Sequence, residues 1–219
     1  MGFPSIKGSV KGGKDFELVP PGVHFAILTK IVHVGVQAAY NPKYPDKDEV
    51  WLEFEIPDVR VKWTKNGEEK EGPAIMRQKF ALSMHEKSNL RPFIEGWRGK
   101  PLTDEEAGEF ELPTMLGKVC QLSVAHKPSS DGKKTYANIS GAFGIIKEQR
   151  DAIVANPARA KPSTDLFAFS VNSEPFDQAG YDQLPEWQRK LVDQRIVVQP
   201  KNVAATVGGK EDFDDNIPF

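Results

Sequence analysis

The sequence predicts a mainly β fold: a five-stranded Greek-key barrel with a helical insert between the third and fourth strands. Five segments alternate apolar and polar residues with a period of two, which is typical of strands that bury one face. Between the third and fourth segments the period changes to that of a helix. Asn66-Gly67, between the second and third segments, is the dipeptide that two-residue hairpin turns favour.

The first strand is predicted over residues 22–37, with an irregularity in its middle. Its apolar residues occupy odd positions up to Ile27 and even positions from Val32 onwards. A shift of one residue turns every side chain to the other face unless a bulge absorbs it. We therefore expect a long, bent strand with a bulge near Lys30-Ile31. Prolines predict a loop over residues 38–48.

The next two strands are predicted over residues 49–56, continued by 59–63, and over residues 73–84. In the second strand, Val50 to Ile56 place every other residue inside. In the third strand the inward set runs from Ala74 to Met84, with Gln78 as a polar exception. Trp63 and Phe80 are predicted to belong to the core.

A helix is predicted from the apolar face that Leu90, Phe93, Ile94 and Trp97 form at helical spacing. Ser88 is a candidate N-cap, and Gly99 is predicted to end the helix. The pair Thr103 and Glu106 predicts a capping box that opens a second short helix.

The last two strands of the barrel are predicted over residues 118–127 and 133–143. Cys120, Leu122 and Val124 alternate inward in the fourth strand. The fifth strand is expected to place Ala137, Ile139 and Phe143 on one side. This order of elements is that of an oligonucleotide-binding (OB) barrel.

Four regions follow from this reading. Residues 1–21 form a basic arm rich in Gly and Lys, either a plain flexible terminus or a segment that touches phosphates. Residues 22–147 form the OB-type barrel, and residues 148–199 a mixed, partly helical extension. The extension is expected to contain an added strand near 166–169 and a helix after Pro185, and to pack on the barrel or serve self-association. Residues 200–219 form a linker and a disordered acidic tail.

The tail ends in an unusual sequence. Residues 211–219 contain four carboxylates and then the apolar tip Ile217-Pro218-Phe219. Pro218 disfavours helix, so the segment is an extended peptide that cannot bury its own phenylalanine. A docking peptide fits this pattern, with Phe219 in a partner's pocket and the acidic run on a basic rim. The alternative is an acidic end that only improves solubility.

Residues 212–219 resemble the C-terminal tip of bacterial and phage single-stranded-DNA-binding proteins, in which an acidic run ends in Asp-Ile-Pro-Phe. This chain departs from that pattern at Asn216, where Asp is usual. The resemblance implies an OB barrel that binds single-stranded DNA and a tip that recruits replication and repair enzymes. It implies tip contacts for Asp212, Asp214, Asp215, Ile217, Pro218 and Phe219.

An OB barrel binds its ligand on the second and third strands and on the loops that join strands one to two and four to five. Aromatic rings on this face would stack on bases, and cations would contact phosphates. The residues that this mapping selects are Tyr40, Lys43, Tyr44, Lys47, Trp51, Arg60, Lys62, Arg77, Lys79, Lys127, Lys133, Lys134 and Tyr136. Each aromatic could instead pack in the core or at its rim, and Glu53 and Glu55 beside Trp51 would repel phosphate.

Charge and composition fit a soluble binding protein without catalysis. The chain has 29 Lys and Arg residues against 31 Asp and Glu residues, and the tail holds four of the acids. The remainder carries only a small positive excess, so DNA binding would depend on local clusters. The four histidines and Cys120 show no metal-ligand spacing, and no phosphate-binding loop is present. We therefore predict no enzyme activity, no metal and no cofactor.

The sequence thus predicts a cytoplasmic single-stranded-DNA-binding protein that is encoded by a phage and acts in the host cell's cytoplasm. It would coat DNA in replication, recombination and repair, bind replication and repair proteins through its tail and avoid membranes. Self-association into a homo-oligomer stays open. Two alternatives remain open: a protein–protein adaptor whose barrel binds no nucleic acid, and an unrecognised recombination enzyme or nuclease.

Overall fold

The structure, a computed structural model, describes residues 18–65 and 68–197 of the chain. Five strands form a curled antiparallel sheet, a half-barrel in the order β3-β2-β1-β4-β5, and a sixth strand pairs with β1 in parallel. The expected mainly β architecture is confirmed. The strands are β1 Gly22–Gln37, β2 Lys47–Lys65, β3 Glu68–Ala81, β4 Val119–Pro128, β5 Thr135–Phe143 and β6 Phe167–Ser170.

Two short helices lie between β3 and β4, as predicted, and three more helices follow β5. Most of the predicted arm, the Asn66-Gly67 turn and the acidic tail lie outside the described residues. Pairing of β2 with β3 extends to Lys65 opposite Glu68. The helices are α1 Leu90–Arg98, α2 Asp104–Gly108, α3 Lys147–Ala155, α4 Gln178–Gln183 and α5 Glu186–Gln194.

Strand β1 contributes to two separate cores because bulges change its phase. Its register against β2 shifts between Leu28 and Lys30 and again between His33 and Gly35, so the predicted bulge is confirmed. Before and within the shifts, Leu28 and Ile31 point into the main core. Val32, which lies between the two shifts, and Val34 face the other way and join a second cluster outside the half-barrel. Gly35 has φ +81°, and a Cβ there would lie 2.9 Å from Cδ of Arg195.

The main core lies inside the curl of the sheet and is closed by α1. Phe54 is fully buried and contacts the rings of Phe93 and Trp97 at centroid distances of 6.1 and 5.7 Å. Each side chain of this size contributes about 1.5–3 kcal/mol by leaving water. Gly96 allows the close approach of α1 to β5, since a Cβ there would lie 2.8 Å from the carbonyl oxygen of Ala142.

The predicted α1 is confirmed, with a small difference at its start. The helix begins one residue later than Ser88 implies as N-cap: Asn89 occupies the cap position without a side-chain bond. The Ser88 hydroxyl still accepts a hydrogen bond from the Arg91 amide at 3.4 Å. Gly99 ends the helix in the left-handed conformation, and the Thr103 capping box of α2 is present.

Arg91 ties α1 to the segment that follows it. Its guanidinium donates to Glu95, to Asp104 and to the carbonyl oxygen of Leu102 at 3.0, 2.7 and 2.6 Å. The Glu95 carboxylate also accepts the Leu102 amide at 2.9 Å. These bonds, the amide first and Arg91 second, hold the pKa of Glu95 below its ordinary value.

We expect Glu95→Gln to remove an acid-sensitive part of the stability. A lowered folded-state pKa means that Glu95 stabilises the fold at neutral pH and loses this effect as the pH falls below about 4. Thermal melts from pH 7 to 3 should therefore show a smaller difference between variant and wild type at low pH. The exposed Glu109→Gln serves as control. An undiminished difference at pH 3 would contradict this assignment.

Three predicted side-chain orientations are wrong. A register shift in the β4–β5 pairing leaves Ser140 without an opposite residue, so Ala142 points inward and Phe143 is 49% exposed. Trp63 is 38% exposed and lies across Gly72 on the β2–β3 hairpin instead of in the core. Strand β3 ends at Ala81, and Leu82 beyond it is exposed.

The residues after β5 pack on the outside of the half-barrel. Strand β6 pairs with the second half of β1, at the edge that β4 leaves free. The buried Glu55 carboxylate accepts the Ser163 amide at 2.9 Å and the Ser163 hydroxyl at 2.8 Å. His33 contacts the Ser170 hydroxyl and the Asp48 carboxylate at 2.8 and 2.7 Å. We name residues 163–197 the C-terminal extension.

No helix within residues 18–65 and 68–197 is long and apolar enough to cross a membrane.

Candidate nucleic-acid interface

The outer face of strands β2 and β3 brings together three of the predicted residues. Trp51 lies opposite Lys79, and Arg77 lies opposite Glu53, so these four side chains project from the same face of the sheet. The alternation that predicted their orientation depends on regular pairing, which continues without interruption from Glu49 to Ile56.

The two cations on this face are paired with carboxylates from the neighbouring strand. Nε of Arg77 donates to Glu53 at 2.6 Å, and Nζ of Lys79 donates to Glu49 at 2.8 Å. Lys30 of β1 also contacts Glu53, at 3.5 Å. The face therefore offers nearly balanced charge, because carboxylates neutralise the two cations that sequence reasoning expected to contact phosphates.

The loop from β1 to β2 forms a cleft beside this face. Tyr40 is fully exposed and Tyr44 is 44% exposed. Both rings line a cleft of about 390 Å³ together with Lys47, Glu49 and Lys79. The structure thus joins the predicted loop residues to the predicted strand residues, with Lys43 exposed on the same loop.

A short turn fixes the shape of this loop. The Asn41 side-chain oxygen accepts the amide of Lys43 at 3.0 Å, and the Asn41 carbonyl oxygen accepts the amide of Tyr44 at 3.0 Å. Asn and Asp side chains commonly organise loops in this way. The two tyrosines are therefore held on a defined turn.

Trp51 is not an open stacking platform. Its side chain is partly buried against the second cluster, and its ring meets that of Trp187 edge-on at a centroid distance of 4.9 Å. Its indole Nε1 is buried and has no hydrogen-bond partner among the described residues. The sequence left two alternatives open for Trp51, stacking on bases or packing at the rim of the core, and the C-terminal extension covers part of the face on which it lies.

Arg60 and Lys62 lie further along β2, beyond an irregularity in the β2–β3 pairing. The register shifts between Ile56 and Arg60, so residues 57–59 have no opposite partner on β3. Arg60 forms an exposed ion pair with Glu71 at 3.2 Å, and Lys62 is exposed opposite Glu71. The structure does not bring these two cations into the cleft at the β1–β2 loop.

The β4–β5 hairpin carries the remaining predicted residues. Tyr136 is 51% exposed and pairs with Lys127 across the hairpin. Lys133 and Lys134 follow at the turn, and all three lysines are exposed. No ion pair involves them within residues 18–65 and 68–197.

Asp131 fixes this turn without neutralising the lysine side chains. Its carboxylate accepts the Ser129 hydroxyl at 2.5 Å and the backbone amide of Lys133 at 3.1 Å. These bonds, that of Ser129 first, lower the pKa of Asp131. These bonds define the conformation of the turn, which presents a local excess of positive charge.

Sequence reasoning missed a groove between β3 and β5. It has a volume of about 420 Å³ and is lined by Gln78 and Phe80 of β3, by α1, and by residues 139–143 of β5. Gln78, the polar exception in the inward pattern of β3, is the one signal that pointed to it. Gln78 lines this groove between β3 and β5 and is not enclosed in the core, which explains why a polar residue occupies an inward position.

No group of three or more His, Cys, Asp or Glu side chains suited to a metal ion occurs in the described part of the chain. Cys120 is buried in β4, and burial raises the pKa of its thiol well above the ordinary value. The thiol therefore stays protonated at neutral pH. The predicted partner-binding residues, from Asp212 to Phe219, lie outside the described residues.

A comparison with models of known protein families finds no match, and a search of the curated proteins finds none.

Proposed function

We propose that this protein binds single-stranded DNA through an OB-type barrel in replication, recombination or repair, and recruits partner enzymes through its acidic tail. One observation carries the proposal. The two loops that flank the ligand face in OB barrels also present exposed tyrosines and lysines that form no ion pair with other described residues: Tyr40 and Tyr44 on one, Tyr136 and its neighbours on the other.

The strand order supports the OB assignment. In an OB barrel the first strand lies between the second and the fourth, and a helix separates the third strand from the fourth. Here β1 pairs with β2 along one edge and with β4 along the other, and α1 lies between β3 and β5.

The residue types favour a single-stranded polyanion over a folded protein. Exposed aromatic rings stack on unpaired bases at roughly 1–3 kcal/mol each, and lysines release counterions from phosphates. The second candidate function is a protein–protein adaptor. The ion pairs of Arg77 and Lys79 favour it, because they neutralise the cations on the strands.

Titration of the full chain into fluorescein-labelled oligo-dT, followed by anisotropy at 50 to 300 mM NaCl, tests the proposal. We expect saturable binding, with an association constant that falls linearly on logarithmic axes as salt rises. Tryptophan fluorescence should report the same midpoint. An absence of binding at 50 mM NaCl would reject the proposal in favour of the adaptor.

Removing the two acids on the β2–β3 face should strengthen DNA binding. Glu49→Gln with Glu53→Gln keeps side-chain shape and releases Arg77 and Lys79 from their partners. At about 1 kcal/mol for each of the two charges near a phosphate, or about 2 kcal/mol together, we expect about thirtyfold tighter binding at 50 mM salt. The exposed pair Glu105→Gln and Glu148→Gln is the matched control for net charge. Equal effects from the two double variants would show that this face does not contact DNA.

A further inference from the structure

The C-terminal extension places an exposed tryptophan next to the proposed DNA-binding face. Trp187 lies in the first turn of α5 and is 38% exposed. Its ring meets Trp51 of β2 at a centroid distance of 4.9 Å and an interplanar angle of 72°. An edge-to-face pair leaves one indole ring partly open to solvent while its neighbour supports it from below.

Helix α5 is fixed on β1, so the position of Trp187 is defined. The Gln37 side chain donates to the Leu191 carbonyl oxygen at 3.0 Å, and the Ile196 amide donates to that of Val36 at 2.8 Å. Val192 is buried in the second cluster. Tyr181 of α4 donates its hydroxyl to Asp193 at 2.7 Å, which raises the pKa of the tyrosine.

The exposed ring of Trp187 lies next to the residues that are predicted to contact DNA. Trp187 touches Trp51, and Trp51 lies opposite Lys79 across the β2–β3 pairing. Lys79 in turn lines the cleft with Tyr40 and Tyr44. Aromatic side chains, interrupted by Lys79 and its ion-pair partner Glu49, therefore extend from the β1–β2 loop across β2 to the extension.

We propose that Trp187 stacks on a base of the bound strand, so that the C-terminal extension forms part of the DNA-binding surface. This inference rests on the proposed function and assigns a contact outside the barrel. The occupant is single-stranded nucleic acid because a base offers a flat face to the indole, and its phosphates fit Lys47 and Lys79 nearby. A rigid ring loses little conformational entropy on binding.

The experiment measures the affinity of the full chain for labelled dT20 by anisotropy, with Trp187→Ala and Trp187→Phe. We expect the alanine variant to bind about tenfold more weakly, with an unchanged salt dependence, and the phenylalanine variant to retain most of the affinity. Phe176→Ala is the matched control. It removes a 42% exposed ring of the same extension, which packs on the rings of Phe169 and Tyr181.

An abasic oligonucleotide of the same length separates stacking from a structural role. It keeps the phosphates and removes the bases, so Trp187→Ala and the wild type should bind it equally. Equal weakening on both ligands, or the same loss in Phe176→Ala, would overturn the inference. An unchanged affinity of Trp187→Ala for dT20 would also overturn it while leaving the proposed function intact. Failure of the wild type to bind dT20 would instead reject the proposed function.

Discussion

Replacing Lys127, Lys133 and Lys134 together by glutamine is expected to weaken the binding of oligo-dT about 100-fold at 0.1 M salt. Each phosphate contact on a single strand contributes about 0.7 to the salt slope, so the loss of three should reduce that slope by about two. The three ammonium groups are exposed and without ion pairs in the described part of the chain, so no carboxylate is freed by their removal. The measurement is an anisotropy titration at four or more salt concentrations.

A matched triple variant controls for net charge. Lys100, Lys118 and Lys147 are exposed and lie outside the proposed interface, on the α1–α2 connection, before β4 and on α3. Lys100 and Lys147 form exposed ion pairs with Glu106 and Asp151, so this variant matches the first in net charge and not in ion pairing. Their replacement by glutamine changes the charge equally and should alter the slope little. If the two triple variants lose affinity equally, the net charge of the whole protein determines DNA binding, and the β4–β5 hairpin has no special role.

Deletion of residues 211–219 is expected to abolish partner recruitment and to tighten DNA binding several-fold at low salt. The segment carries four carboxylates, and the short linker predicted before it would give it an effective concentration near the barrel in the millimolar range. DNA would compete with this acidic segment for the lysines of the proposed interface. DNA binding would therefore release the segment for partners. Screening reduces this competition, so the gain in DNA affinity should fade above about 0.15 M salt.

Two variants of the full chain separate the two effects of the tail. Phe219→Ala keeps every carboxylate, so DNA affinity should stay the same while recruitment falls, because the partner's pocket loses its anchor. Replacing Asp212, Asp214 and Asp215 by asparagine should instead tighten DNA binding. Recruitment is measured by capture of purified replication and repair proteins on immobilised protein. A deletion that weakens DNA binding at every salt concentration would contradict the competition.

The sequence predicts the positions of the strands better than the direction in which each side chain points. Alternation locates each strand because a half-buried strand has a period of two, and the phase slip before Val32 correctly indicates a bulge. The bulge at Ser140 leaves no such signal, because Ala142 and Phe143 are both apolar and either could point inward. Periodicity therefore fixes the orientation of a strand only up to its first unrecognised irregularity.

The candidate site is predictable in its residue types and less so in its electrostatics. Outward-facing Arg77 and Lys79 follow from alternation, whereas their pairing with Glu53 and Glu49 depends on the register between β2 and β3. A different register would leave the same cations free. The packing of Trp187 on Trp51 is a contact between residues more than a hundred positions apart, which local sequence patterns do not encode.

Strand β1 contributes to two cores and pairs with both β4 and β6, which has a consequence for how the chain folds during synthesis. This strand leaves the ribosome long before β4 and β6, and His33 meets Ser170, 137 residues further along the chain. Contacts this distant close slowly, because the loop entropy is lost before the contacts form. Until then, a strand that is apolar on both faces remains exposed. Nascent chains that end before β6 should therefore depend on chaperones, and release from them should coincide with completion of the extension.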